Sequence, residues 1–143
     1  MSGDIIRVVL ADDYGVVRAG LKAILLPARD IEVVGEASNG REAVELVARL
    51  RPDVVAMDLS MPEMNGAEAT SAITAAGGDT RVLILTMHAK EDYLLDAMRA
   101  GAAGYLLKTD AARELTGALR AVAYGDVYVR FTGGRVVAAD LMK

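Results

Sequence analysis

Four short apolar runs, each ending on a polar residue, set the strongest limit on how this chain can fold. The runs are Ile5-Ile6-Arg7-Val8-Val9-Leu10-Ala11, Asp53-Val54-Val55-Ala56-Met57, Arg81-Val82-Leu83-Ile84-Leu85 and Gly104-Tyr105-Leu106-Leu107. They end, in order, on Asp12-Asp13, Asp58, Thr86 and Lys108. Continuous rather than alternating apolar runs of this length suit strands buried on both faces, as in a parallel sheet. Adjacent parallel strands would gather all five polar side chains at one rim. Three carboxylates, a hydroxyl and an ammonium in one pocket describe a place for a divalent cation and a phosphoryl group.

Helix-period segments alternate with these runs. Val17, Leu21, Ile24 and Leu25 share one face of a segment from Gly15 to Leu26, which Pro27 ends. Ile31 to Ala37 reads as a further strand. Asn39 with Glu42, and Asn65 with Glu68, are capping boxes opening helices to about Arg49 and Ala75. A fourth helix spans Lys90 to Ala100 and stops at Gly101; Asp110 caps a fifth, which reaches about Tyr124 and stops at Gly125. A chain of 143 residues makes one domain, and five βα units in succession form a parallel sheet with helices on both faces. The second strand delivers only Ala37-Ser38 to the rim, so it belongs at an edge, giving the order 2-1-3-4-5. This is a flavodoxin-like (βα)5 three-layer sandwich, whose ligand crevice lies where the strand order reverses, between the first and third strands. Asp12, Asp13 and Asp58 flank that crevice.

Composition excludes several function classes. A net charge of -4 with no Lys/Arg cluster argues against direct nucleic-acid binding, which draws its affinity from cationic contacts with phosphates. Cysteine is absent, so disulfides and thiolate metal sites are excluded. No apolar stretch approaches the ~20 residues of a membrane span, and the N-terminus lacks a secretory signal. The expected compartment is the cytoplasm.

The rim has a chemistry of its own. Two carboxylates about 4 Å apart repel by roughly 4 kcal/mol at an effective dielectric of 20. A hard dication relieves this, and an open site with few carboxylates and retained waters suits Mg2+. Asp58 is then placed as a nucleophile toward a phosphoryl donor, with Lys108 neutralising charge and Thr86 hydrogen-bonding a phosphoryl oxygen. Each residue alone has a plainer reading: Asp12-Asp13 as a turn and helix cap, Thr86 as a strand-end hydroxyl, Lys108 as a solvated charge, His88 as a loop residue. Their order and spacing together carry the functional one. A nucleotide- or flavin-binding domain on this architecture is a remote alternative, because Asp12-Asp13-Tyr14 stands where a Gly- or Thr-rich phosphate cradle is needed. A phosphohydrolase wants a second acid where Ser60 stands.

The motifs Val-Leu-Ala-Asp12-Asp13, Met-Asp58-Leu-Ser-Met-Pro62-Glu-Met-Asn-Gly66, Leu-Thr86-Met-His and Gly101-Ala-Ala-Gly104-Tyr105-Leu-Leu-Lys108 resemble a two-component response-regulator receiver domain, from Ile5 to about Tyr124. Val-Val-Gly-Glu-Ala-Ser-Asn-Gly and Gly-Tyr-Leu-Leu-Lys are similar to the NarL/FixJ (LuxR-type) subfamily. The resemblance implies that a sensor histidine kinase donates a phosphoryl group to Asp58. It implies Mg2+ on Asp13, Asp58 and the backbone carbonyl of Ser60, with Asp12 acting through water. Thr86 would move toward the aspartyl phosphate and Tyr105 would turn inward as a second switch residue. Ser60 and His88 would tune dephosphorylation, and the face of the fourth helix, fifth strand and fifth helix would recruit a partner. A homodimer formed on phosphorylation is a further implied partner. By this likeness the chain is a phosphoacceptor with weak self-phosphorylation and self-dephosphorylation chemistry, not a turnover enzyme.

Two positions depart from the pattern: Tyr14 stands where the subfamily usually has histidine, and Thr109 where many receivers have proline. The expected organisation is a receiver domain over 1–125. Residues 126–143 form an extension, or the start of a linker to an output domain that would hold the DNA contacts of a transcription regulator. The alternative is a stand-alone receiver acting by protein contact or phosphorelay. Within that tail, a short final helix from about Arg135 would place Val137 and Leu141 four apart.

Overall fold

A computed structural model describes residues 4–131 and 134–135. Strands β1 (Ile6–Ala11), β2 (Ile31–Ala37), β3 (Val54–Met57), β4 (Arg81–Thr86) and β5 (Gly104–Leu107) alternate with helices α1 (Gly15–Leu25), α2 (Gly40–Leu50), α3 (Gly66–Ala76), α4 (Glu91–Ala100) and α5 (Ala111–Ala123). The sheet order is β2-β1-β3-β4-β5, as expected, and continues through β6 (Tyr128–Phe131) to β7 (Gly134–Arg135). Strands β1 to β6 are parallel; β7 returns antiparallel on β6. The sheet thus runs past Gly125, where the repeating βα pattern stops. Arg135 lies in β7 rather than in a helix, and Val137 and Leu141 lie outside the described residues.

Continuous apolar strands fold here because both faces are covered. Successive residues of one strand enter different cores. Val9, Ala11, Val55, Met57 and Ile84 pack against Ala43, Ala69, Ile73, Leu94 and Ala97 of α2, α3 and α4. Val8, Leu10, Val54, Ala56 and Leu83 pack against Leu21, Leu25, Leu115 and Leu119 of α1 and α5. Period-2 side-chain direction requires this split, and it makes the central strand segments Val8–Ala11, Val54–Met57 and Val82–Leu85 apolar at every position.

The helix starts differ in how the sequence signals are used. At Asn65 the capping box is complete: the Asn65 side chain accepts from the Glu68 N–H at 2.8 Å, and the Glu68 carboxylate accepts from the Asn65 N–H at 2.9 Å. At Asn39 only half forms. Asn65 and Asn39 both hold the third helical N–H, but Glu42 accepts instead from the Ser38 N–H and hydroxyl, at 2.7 and 2.9 Å. Asp110 makes no cap hydrogen bond, because a 3-10 turn over Lys108–Asp110 already gives it helical geometry. Its carboxylate accepts from Arg113 at 3.0 Å.

Candidate functional site: the carboxyl rim of the sheet

Register brings the rim together. Ala11 pairs with Met57, so Asp12 and Asp58 leave the sheet side by side between β1 and β3. Thr86 pairs with Leu107, so Lys108 is the first residue beyond the β4–β5 ladder. The Asp58 N–H still donates to the Ala11 carbonyl at 3.0 Å, and the Asp12 N–H to the Ala37 carbonyl at 3.0 Å. These bonds fix the backbone beneath both carboxylates.

Gly66, the first residue of α3, fixes the loop after Asp58. A Cβ there would lie 2.2 Å from the Asp58 carbonyl oxygen, and its N–H donates to the Leu59 carbonyl at 2.8 Å. Only glycine lets α3 begin this close to the end of β3. The Leu59 N–H in turn donates to Asp58 Oδ1 at 2.8 Å and orients the carboxylate.

Asp12 and Asp58 are both buried, at 1% and 7% exposure, and Thr86 is fully buried. Carboxylate oxygens of Asp12, Asp13 and Asp58 lie within 4.8 Å of one another. Lys108 Nζ donates to Asp12 Oδ2 at 2.6 Å and to Asp58 Oδ2 at 3.2 Å. Burial opposes the ammonium, but the Asp12 hydrogen bond and the charges of Asp58 and Asp12 outweigh it and hold Lys108 above the usual lysine range. Asp12 Oδ1 accepts from the Tyr14 N–H at 3.0 Å. Asp13 Oδ1 is different: among the described residues it is the one buried side-chain polar atom without a hydrogen-bond partner. Such an atom costs about 1–3 kcal/mol unless something binds it. Hard oxygen donors, one of them unpartnered and all close together, fit a hard dication that keeps several waters.

A second network stands beside the carboxylates. Ser60 Oγ and His88 Nε2 are 2.7 Å apart, joining the loops after β3 and β4. The His88 ring stacks on Tyr93 with centroids 4.4 Å apart. Its N–H donates to Thr86 Oγ1 at 3.3 Å, and its carbonyl accepts from the Tyr105 hydroxyl at 2.6 Å. Tyr105 already faces inward and is fully buried. Burial, with the charges of Asp58 and Tyr93 adding to it, pushes its phenol up to about 12.

All the residues singled out from the sequence therefore meet at one end of the molecule. Two contributors carried no motif. Arg18 donates to the Asp12 carbonyl and, at 2.9 Å, to Glu36; a basic residue one turn into α1 is the only hint. Tyr93, with Asp13, Ser60 and Asp96, lines a cavity of about 600 Å³ that opens next to the acids; an aromatic five residues after His88 was its only signal. No helix among the described residues is long and apolar enough to cross a membrane.

Comparison with known proteins agrees with this arrangement. Residues 8–120 match the family described as the response regulator receiver domain. The transcriptional regulatory protein LiaR of Bacillus subtilis is 46% identical over 121 residues, covering 85% of this chain and 57% of LiaR. The response regulator UvrY of Escherichia coli is 43% identical over 136 residues, covering 95% of this chain and 59% of UvrY. The chain thus spans somewhat over half the length of these relatives. The receiver domain of a response regulator NarL from Mycobacterium tuberculosis superposes with a TM-score of 0.83 at 36% identity, covering 85% of this chain and 98% of that one. A LuxR-family response regulator from Aurantimonas gives a TM-score of 0.83 at 37% identity, covering 87% and 89%. With a flavodoxin-like sheet of the expected order and the acid pair, aspartate, hydroxyl and lysine at its rim, the chain belongs to the response-regulator receiver domain family, in its NarL/FixJ subfamily.

Proposed function

We propose that this domain is a phosphorylation-controlled switch whose phosphoacceptor is Asp58. The observation that carries the reading is the Lys108 ammonium set 2.6 Å from Asp12 and 3.2 Å from Asp58, beside the unpartnered Asp13 oxygen. An Asp58 carboxylate oxygen attacks the phosphorus of a phosphohistidine on a sensor histidine kinase. The P–N bond breaks, its electron pair stays on the imidazole nitrogen, and a mixed anhydride forms on Asp58. Asp13, Asp58 and the Ser60 backbone carbonyl would hold Mg2+, with Asp12 bound through water; when present, the ion offsets charge on the phosphoryl oxygens. Lys108 supplies a second positive charge and Thr86 a hydrogen-bond donor to the same oxygens. Hydrolysis by water at phosphorus returns the carboxylate and inorganic phosphate. Ser60 and His88, bonded to each other at its entrance, tune that step.

The phosphoryl group adds nearly two negative charges beside Lys108. Thr86 and Tyr105 are the proposed switch residues, since both bond to the His88 backbone, whose ring stacks on Tyr93 of α4. The helix-strand repeat of residues 1–125 is read as the receiver unit, and 126–143 as the extension leading to an output domain. Relatives named as transcriptional regulatory proteins support a DNA-binding regulator as the parent, acting in the cytoplasm. The net charge of -4 makes this domain a poor carrier of DNA contacts, which supports placing them in an output domain. Incubation with labelled acetyl phosphate and Mg2+ tests the reading. Label is expected on the wild type and none on Asp58→Asn; equal labelling of both would exclude Asp58 as the acceptor.

A further inference from the structure

The chain does not leave the sheet after α5. It turns at Gly125 and lays β6 along β5, with Gly104 opposite Tyr128, Tyr105 opposite Val129 and Leu106 opposite Arg130. The Tyr128 N–H donates to the Ala103 carbonyl at 3.1 Å. Val129 is 3% exposed and shares a core cluster with Tyr105. The Tyr128 hydroxyl donates to Glu114 on α5. Arg130 lies 3.8 Å from Asp110 and 3.9 Å from Glu114. Asp110 belongs to the same 3-10 turn as Lys108.

This strand therefore touches two networks at the rim that holds Asp58. One runs from Thr86 through His88 to the Tyr105 hydroxyl, whose ring packs beside Val129. The other runs from Lys108 along its turn to Asp110, which faces Arg130. We propose that β6 is a self-docked strap whose hold on β5 is linked to the charge on Asp58, and that phosphorylation loosens it. The inference rests on the switch reading above. The direction follows from the partners in place. In the unmodified site Lys108 is shared with Asp12, and Thr86 accepts from the His88 N–H. A phosphoryl group competes with Asp12 for Lys108 and offers the Thr86 hydroxyl an acceptor that draws it toward Asp58, and the contacts that seat Tyr105 and Asp110 against the strap shift with them. β7 pairs back onto the strap, so its release would free the β6–β7 hairpin together.

Beryllium fluoride with Mg2+, a reversible stand-in for a phosphoryl group on a carboxylate, gives an equilibrium test on the full chain. Binding is followed by fluorine resonance, and amide exchange of the β6 peptide is measured with and without the probe. Coupling of ordinary size predicts exchange on the order of fivefold faster when the probe is bound. Linkage is reciprocal, so Val129→Ala, which weakens the strap, should tighten probe binding about threefold, and Arg130→Ala in the same direction by less. Probe binding with unchanged or slower β6 exchange, or with unaltered affinity in Val129→Ala, overturns the strap and leaves the phosphoacceptor reading intact. A probe that binds neither wild type nor variants overturns both.

Discussion

At the amino ends of the strands, Asp30 takes two donors of Arg120 at 2.8 Å each. At the carboxyl ends, Asp12 and Asp58 share one ammonium, and an Asp13 oxygen has no partner. The amino rim is settled elsewhere too. Asp53 accepts from the Arg7 N–H at 2.8 Å, the Arg7 guanidinium caps the Leu50 carbonyl at 2.7 Å, and Thr80 donates to the Pro52 carbonyl at 2.6 Å. There these polar groups pair with an opposite charge or with backbone at a turn or helix end. The carboxyl rim places three carboxylates around one lysine, and the nearby Arg18 is committed to Glu36. One sheet thus has a rim that is electrostatically complete and a rim that is left in deficit of positive charge. The deficit is what the proposed function uses, since a buried polar group without a partner needs an explanation that the settled rim does not.

Substitutions sharpen this contrast. Gly66→Ala should cost most, about 3 kcal/mol by overpacking, since the new Cβ meets the Asp58 carbonyl at 2.2 Å; denaturant unfolding measures the loss, and phosphoryl uptake should fall with it. Tyr105→Phe removes the hydrogen bond to the His88 carbonyl and should cost about 1 kcal/mol near neutral pH. Its pH dependence has a definite sign. The folded phenol ionises near 12 and the unfolded one near 10.0, so its contribution is full below the lower value and is lost as pH rises to the upper one. Wild type should therefore lose stability relative to Tyr105→Phe across that window.

Asp13→Asn should do the reverse of an ordinary core lesion. Removing one of three crowded charges is expected to raise the metal-free melting temperature by the equivalent of about 1 kcal/mol, measured in chelator. The same change at the settled rim, Asp30→Asn, should lower stability by about 0.5 kcal/mol, and less at high salt, because that pair is solvent-accessible. Hydrogen bonding to Arg120 holds the Asp30 carboxyl below its ordinary 3.8. Its contribution is thus present above that value and vanishes as pH falls through the lower folded one. A stabilising Asp30→Asn or a destabilising Asp13→Asn would erase the distinction between the rims.

The settled parts of the fold were readable because each depends on residues close in sequence. Ile31–Ala37 has its predicted bounds, and the strand order followed from which strands carry polar ends. The core of the rim was readable for the same reason, as Asp12-Asp13, Asp58, Thr86 and Lys108 each close an apolar run. What escaped depends on which of several competing partners wins, or on partners distant in the chain. Within the expected extension, Tyr128–Phe131 becomes a strand only because β5 offers an open edge with which it can pair. Glu42 satisfies both cap positions on paper, yet Ser38 presents an N–H and a hydroxyl together and wins the carboxylate. The Ser60–His88 bond joins the loops after β3 and β4, 28 residues apart, and no local spacing encodes it.

Magnesium titration of wild type against Asp13→Ala tests the charge-deficient rim most directly, with binding followed by amide resonances around Asp58. One ion per chain is expected in the wild type, with affinity at least tenfold weaker in Asp13→Ala, since a lost coordinating carboxylate costs about 1.4 kcal/mol or more. Equal affinities, or resonances that shift at the amino rim instead, would contradict the account.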